Sequence, residues 1–408
     1  MPSETPDFFG QLEQQLQQRK DQHLMRKRHT VESAQGAKVT VAGKAVLNFC
    51  SNDYLGLANH PKMVEAFTKA ANTYGVGGGA SHLVCGHTTE HHRLEELFAQ
   101  RSGRDRAVLF STGFMANLGI LTALLDKPDA VFEDKLNHAS LLDGGLMSGA
   151  KFQRFLHNDM GSLEKRLVKT EARRKLICVD GVFSMDGDKA QLKDLAALAK
   201  QNQALLMVDD AHGIGTLGKT GMGLCEEQGL TQEDVPILMV TLGKALGSFG
   251  ALVAGPDVVI DTLIQFARPY IYTTSMPPAV AAATSQSLLL LEEESWRREH
   301  LQSLINYFVK EAKALGLPLM PSSTAIQPLL LGSEVTALTW QQALMDAGFW
   351  ISAIRPPTVA KGTARLRITL TAGHSVEDVD KLLHALQQLL KQHPIDPNIL
   401  VLLAGEAS

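Results

Sequence analysis

The sequence predicts an α/β protein with two parts: a large domain on a mostly parallel, doubly wound sheet, then a smaller α+β C-terminal domain. Three observations carry that prediction. From about residue 105 to 255, short apolar runs alternate with helical stretches, the signature of parallel strands covered on both faces. After about Gly316 the character changes, and strands interleave with only two further helical stretches. Finally, 408 residues with 45% hydrophobic content are enough for a large core and for more than one domain.

Taken in order, Pro6 to Arg28 places Phe9, Leu12 and Leu16 among polar residues and reads as an amphipathic arm, ending in the basic cluster Arg26-Lys27-Arg28-His29. A short strand over Val46 to Phe49 meets a turn at Ser51 to Gly56. The large-domain strands are read at Ala107–Phe110, Ala130–Phe132, Leu176–Val179, Ala204–Val208, Ile237–Val240 and Ala251–Ala254. A long helical stretch runs from Pro277 to about Gly316. Strands follow at Ala325–Leu331, Trp350–Ile354 and Arg365–Leu370, with helices near 336–347 and 375–391. The expected division is an N-terminal helical arm over 1–45, a large domain over 46–290 and a small domain over 291–400.

Functional residues of such a sheet gather at the C-terminal ends of its strands. One strand there ends in Asp209-Asp210-Ala211-His212-Gly213, and the run Met239 to Gly247 places Lys244 after another, between Gly243 and Gly247. Flanking glycines let a planar group approach the backbone, and apolar surroundings disfavour the ammonium form, so Lys244 reads as a Schiff-base nucleophile. Asp209 supplies the carboxylate that keeps a pyridine nitrogen protonated. Together they point to pyridoxal phosphate. The turn Ser111-Thr112-Gly113-Phe114 opens a helix whose backbone N–H groups suit a phosphate. His138 follows another strand and is positioned to stack on the ring, and Ser184 to hydrogen-bond its phenolic oxygen. In the small domain, Arg355, Arg365 and Arg367 lie near strand ends, where a guanidinium fork clamps a carboxylate.

Other features lead elsewhere or nowhere. A net charge of −4 and a pI near 6.4 give no general attraction to nucleic acid or anionic membrane. Cys50, Cys85, Cys178 and Cys225 are scattered without a Cys-x-x-Cys pair, which fits a reducing cytosol. Met1 to Lys20 lacks the apolar core of a secretory signal, and no apolar run is long enough to span a bilayer, so a soluble cytoplasmic protein is expected. The glycine run Gly75 to Ala80 follows no strand and opens no helix, unlike a dinucleotide fingerprint. His87-Thr88-Thr89-Glu90-His91 matches the inverted zinc-protease signature His-x-x-Glu-His but needs a third ligand, and no metal is assigned.

Asp209 to Gly213, Phe183 to Gly187, Asn137 to Ser140 and Thr241 to Lys244 resemble the α-oxoamine synthases, pyridoxal-phosphate enzymes of the aspartate aminotransferase fold (fold type I). The likeness runs from about residue 45 to 390. It implies that Lys244 carries the cofactor and acts as general base, that Asp209 partners the pyridinium, and that His138, Ser184 and His212 surround the ring. It also implies phosphate contacts at Gly113, Phe114 and Thr241, and substrate contacts at Arg26, Asn52, His138, Arg355, Thr358 and Arg367. Thr273 and Thr274 match a segment that reaches the neighbouring subunit's phosphate, which implies a homodimer with active sites at its interface. Asn48 to Leu57, Tyr272 to Pro278 and Ile354 to Val359 are similar to the member that condenses L-alanine with a pimeloyl thioester, carried on coenzyme A or on acyl carrier protein. A sister enzyme joining glycine to another acyl-CoA is the alternative. Two positions depart from the family pattern: His82 stands where many relatives have arginine, and Asp180 where glutamate is usual.

Overall fold

The computed structural model describes residues 7–22, 24–396, 398 and 399. Its centre is a seven-stranded sheet of β1 (Arg106–Phe110), β2 (Ala130–Asp134), β3 (Lys151–Phe155), β4 (Lys175–Asp180), β5 (Ala204–Asp209), β6 (Ile237–Thr241) and β7 (Ala251–Gly255). The spatial order is β1-β7-β6-β5-β4-β2-β3. Only β7 runs antiparallel, hydrogen-bonded to β1 and β6, so all other strands point their C-terminal ends the same way.

Alternate side chains of each central strand feed two separate cores. Ile177 and Val179 of β4 and Leu206 and Val208 of β5 pack on one face, and Leu176, Cys178 and Met207 on the other. A strand buried on both faces needs apolar residues throughout, which is why these runs were readable. The sequence reading missed β3 for the opposite reason: Lys-Phe-Gln-Arg-Phe lies at the sheet edge, with only Phe155 fully buried.

In the C-terminal part, Ala364–Thr369 is the middle strand between Ile326–Gly332 and Ser352–Ile354, all antiparallel. Helices Glu334–Asp346 and Val376–Gln392 cover it through Trp340, Leu344, Leu383 and Leu386. These residues belong to the same core as one face of the large sheet. A second small sheet joins the hairpin Lys38–Val41 and Lys44–Asn48 to Phe349–Trp350, so the expected single strand over 350–354 is split between two sheets.

The predicted stretch from Pro277 to Gly316 is two helices, Pro278–Glu293 and Trp296–Ala314. The arm forms a helix, Phe8–Asp21, capped by the Asp7 side chain on the Gly10 N–H, and buries none of its residues. Among the described residues no helix is long and apolar enough to cross a membrane. Phe132, fully buried in β2, anchors the central sheet. Phe132→Ala is expected to cost about 3–5 kcal/mol, read as a lower urea midpoint at unchanged slope.

Candidate active site

The parallel strands deliver their terminal residues to one cleft. β4 and β5 are in register at Asp180 and Asp209, so two carboxylates sit side by side. β6 ends at Thr241, three residues before Lys244. Past β2 the chain turns through Asn137 into His138, which caps helix Ala139–Met147. Beyond β1, Thr112 caps helix Gly113–Leu124 by accepting from the Met115 N–H. The resulting cleft, of about 180 Å³, is lined by Gly113, Phe114, Asn117, His138, Asp180, Ser184, Asp209, His212, Thr241 and Lys244, among others.

A polar chain crosses its floor. Asn117 Nδ2 donates to Asp209 Oδ2 at 2.7 Å and to Ser140 Oγ at 2.8 Å. Ser140 Oγ lies 2.8 Å from His138 Nδ1, and the His138 backbone N–H donates to Asp180 Oδ2 at 2.9 Å. The other Asp209 oxygen accepts from the Ala211 N–H at 3.1 Å. On the opposite side, His212 Nδ1 meets the Tyr54 hydroxyl at 2.6 Å.

Burial dominates the electrostatics. It lowers the Lys244 amine to about 8, against the pull of Asp209 and Asp180, which favour the ammonium. Burial, reinforced by the neighbouring Asp209 charge, holds the Asp180 carboxyl well above its ordinary range. Desolvation also lowers His138 and takes His212 well below its usual value, the latter aided by the Lys244 and Arg367 charges. Both imidazoles are therefore neutral near pH 7.

The C-terminal strands meet the surroundings of this cleft through Arg367, and the loop behind it through Arg365. Arg367 Nε donates to the Ser184 carbonyl at 2.6 Å and Nη1 to Asn52 Oδ1 at 3.2 Å. Arg365 pairs with Asp186 at 2.6 Å and so supports the loop rather than facing the cleft. Arg355 is half-buried, while Thr358 and Arg26 are exposed. Thr273 and Thr274 do not line the cleft of their own chain. Asn52 instead lines a second recess with Asn48, Cys50, Trp350 and Lys244.

Asn117, Tyr54 and Asp180 were not chosen from sequence. Asn117 had a usable signal, an amide one turn past Gly113 on a largely apolar helix. Tyr54 had none, because its partner lies 158 residues away. The two glycines beside Lys244 differ in what the chain asks of them. Gly247 is required by the chain itself: at φ 61° a Cβ there would lie 2.4 Å from the Ala58 nitrogen, whereas a Cβ on Gly243 would make only ordinary contacts.

The loop carrying Ser184 is held from behind by His157. Its Nδ1 contacts Asp134 at 3.0 Å and its Nε2 contacts Asp188 at 2.8 Å, with the ring edge-on to Phe183 at 4.4 Å. Burial disfavours the imidazolium, but the two carboxylates outweigh it and raise His157 to about 10.

The donor set fits pyridoxal phosphate. The N–H groups opening helix Gly113–Leu124 suit its phosphate, Asp209 its ring nitrogen and Lys244 its aldehyde. The buried Asn117 Oδ1, without a partner among the described residues, adds an acceptor on the same floor. Fold and cleft together define a pyridoxal-phosphate-dependent enzyme.

Known proteins agree. The family model for aminotransferase class I and II matches residues 44–386. The 8-amino-7-oxononanoate synthase of Saccharophagus degradans is 59% identical over 94% of this chain and 97% of its own. That of Cellvibrio japonicus is 58% identical over 93% and 96%. Among solved structures, a serine palmitoyltransferase with PLP superposes at TM-score 0.90 with 30% identity, covering 95% of this chain and 99% of the other. The 8-amino-7-oxononanoate synthase of Francisella tularensis does so at TM-score 0.75 with 32% identity, covering 86% and 99%. The chain belongs to the aminotransferase class I and II family and, within it, to the 8-amino-7-oxononanoate synthases.

Two outcomes follow from the geometry. Asn117→Leu removes a hydrogen bond to a buried carboxylate, and should cost about 1.5–3 kcal/mol in urea unfolding and weaken cofactor retention in a spectroscopic titration. Because His157 is raised above its unfolded value of 6.5, its contribution to stability is fully present below pH 6.5 and fades as pH rises through about 10. In His157→Gln, melting temperatures measured across pH 6 to 10 should lose that part of the alkaline decline.

Proposed function

We propose that this enzyme condenses L-alanine with a pimeloyl thioester to give 8-amino-7-oxononanoate, CO2 and free thiol, a step of biotin biosynthesis, in the cytoplasm. The observation that carries the reading is the position of Lys244, which forms a wall common to two recesses. One holds the Asp209–Asn117–His138 network, and the other runs past Asn52 and Cys50 to Trp350 and has room for an acyl chain. The names of the relatives at 58–59% identity support the same substrates.

Pyridoxal phosphate, when bound, supplies the electrophilic aldehyde and the electron sink for the Cα carbanion. The protein does the rest. Gly113, Phe114 and Thr241 would hold the phosphate, and Asp209, fixed by Asn117 and the Ala211 N–H, would keep the ring nitrogen protonated. Ser184 and His212, on the cleft wall, would hydrogen-bond the cofactor's phenolic oxygen. His138, neutral and anchored through Ser140, would offer the ring a flat stacking surface. Lys244, with an amine near the free-base range, takes the Cα proton of alanine and returns it to the product. Arg367 holds the alanine carboxylate: its charge is felt by Lys244, and Asn52 and Tyr54 orient its fork. Arg26, Arg355 and Thr358 meet the thioester substrate, delivered on coenzyme A or on acyl carrier protein. In the homodimer we propose, Thr273 and Thr274 would reach the phosphate held by the neighbouring subunit.

Lys244→Ala is expected to abolish turnover and the cofactor's bound absorbance band. Arg367→Lys should raise the KM for alanine about 10–150-fold, the equivalent of 1.5–3 kcal/mol, and Arg355→Lys should leave it near wild type. Rapid thiol release from pimeloyl thioester with alanine supports the assignment. Faster release with glycine and another acyl-CoA would overturn it in favour of a sister enzyme.

A further inference from the structure

Away from the cleft, the glycine-rich run meets helix Thr89–Ser102, and His82, His87, His91, His92 and Glu95 converge there. Their hydrogen bonds separate structural groups from available ones. His91 is spent: Nδ1 accepts from the Thr88 N–H at 3.0 Å, and Nε2 lies 2.8 Å from the Met276 carbonyl, to which it donates. His82 is buried, stacked on Tyr270 with centroids 5.1 Å apart, and its Nδ1 lies 3.0 Å from His87 Nδ1. With His87 as donor in that pair, its Nε2 keeps a free lone pair.

That nitrogen lies 3.9 Å from Glu95 Oε2, too far for a hydrogen bond. Glu95 is itself half-satisfied: Oε1 accepts from the Leu109 N–H at 2.9 Å. Its side chain is only 13% exposed, and no cation pairs with it directly among the described residues. Burial accordingly pushes its carboxyl up to about 8. His92, three residues before Glu95 on the same helix, has a side chain 63% exposed, and its Nε2 lies 3.1 Å from Glu96 Oε1, a surface pair that an ion would displace or that leaves Nδ1 as the ligand. Ligand atoms of His87, His92 and Glu95 all lie within 4.8 Å of one another.

We propose that His87, His92 and Glu95 form a binding site for a borderline divalent cation, with Zn²⁺ the best match, separate from the catalytic cleft. Two imidazoles and a carboxylate are a zinc donor set, and three protein ligands leave a fourth position to solvent. Two ligands at about 2.0–2.1 Å from one ion stand roughly 3.3 Å apart in a tetrahedron, so the 3.9 Å gap closes with a small shift. The outer partners are in place: His82 orients His87, and the Leu109 N–H orients Glu95. The set differs from the zinc-protease signature, which would use His91. The cation would neutralise a buried carboxylate and tie the residue before the N-cap Thr88 to the first two turns of the helix.

The test is titration of chelator-treated, cofactor-loaded enzyme with ZnCl₂ by calorimetry, followed by melting curves. The expected result is one equivalent per chain and a zinc-dependent rise in Tm. His92→Gln, on an exposed helix face, should keep the fold yet lose at least about ten-fold in zinc affinity and the Tm rise, and Glu95→Gln and His87→Gln should do the same. His384→Gln, an exposed histidine on helix Val376–Gln392, should change neither. Absence of a saturable equivalent, or zinc affinity unchanged in His92→Gln, would overturn the proposal.

Discussion

Three carboxyl groups at the ends of two neighbouring strands, Asp180, Asp209 and Asp210, are removed from water together, and the catalytic architecture is arranged around that cost. A buried carboxylate is tolerated only with hydrogen bonds or an opposite charge. Asp209 has Asn117 and the Ala211 N–H, and Asp180 has the His138 N–H. Asp210 accepts from the Leu224 N–H at 2.6 Å and is still pushed up to about 8 by its burial. The cation that faces them is Lys244, and the same desolvation that raises the acids lowers its amine.

This coupling explains why the cleft is built from so many segments. Each donor comes from a different strand end or helix start, so loss of any one exposes an unsatisfied charge to the others. The neutral state of His138 and His212 belongs to the same balance, since imidazolium ions there would compete with Lys244 for the carboxylates.

The loop Phe183–Asp188 is where the two parts of the chain meet. His157 grips Asp188 and packs against Phe183 from the large sheet, while Arg365 and Arg367 hold Asp186 and Ser184 from the C-terminal strands. Ser322 and Thr324 both donate to the Gly187 carbonyl. Ser184 at the cleft is thereby tied by hydrogen bonds and packing to both the large sheet and the C-terminal strands.

The sheet was legible because its central strands are buried on both faces and must be apolar along their length, whereas edge strand β3 carries a mixed sequence and, of the hairpin Lys38–Asn48, only the second strand was read. Lys244, Asp209, His138 and Ser184 were legible because a parallel sheet places its strand ends at one edge, and short motifs mark those ends. Residue order alone therefore determined the layered class, the cofactor chemistry and the residues that follow strands. Only the tertiary structure decided which side chains complete them: Asn117 beneath Asp209, Tyr54 on His212, Arg367 rather than Arg365 toward the cleft, and the backbone approach at Ala58 that requires Gly247. Those are contacts between segments distant in the chain, governed by packing and desolvation, and local patterning carries no record of which distant group will satisfy a buried atom.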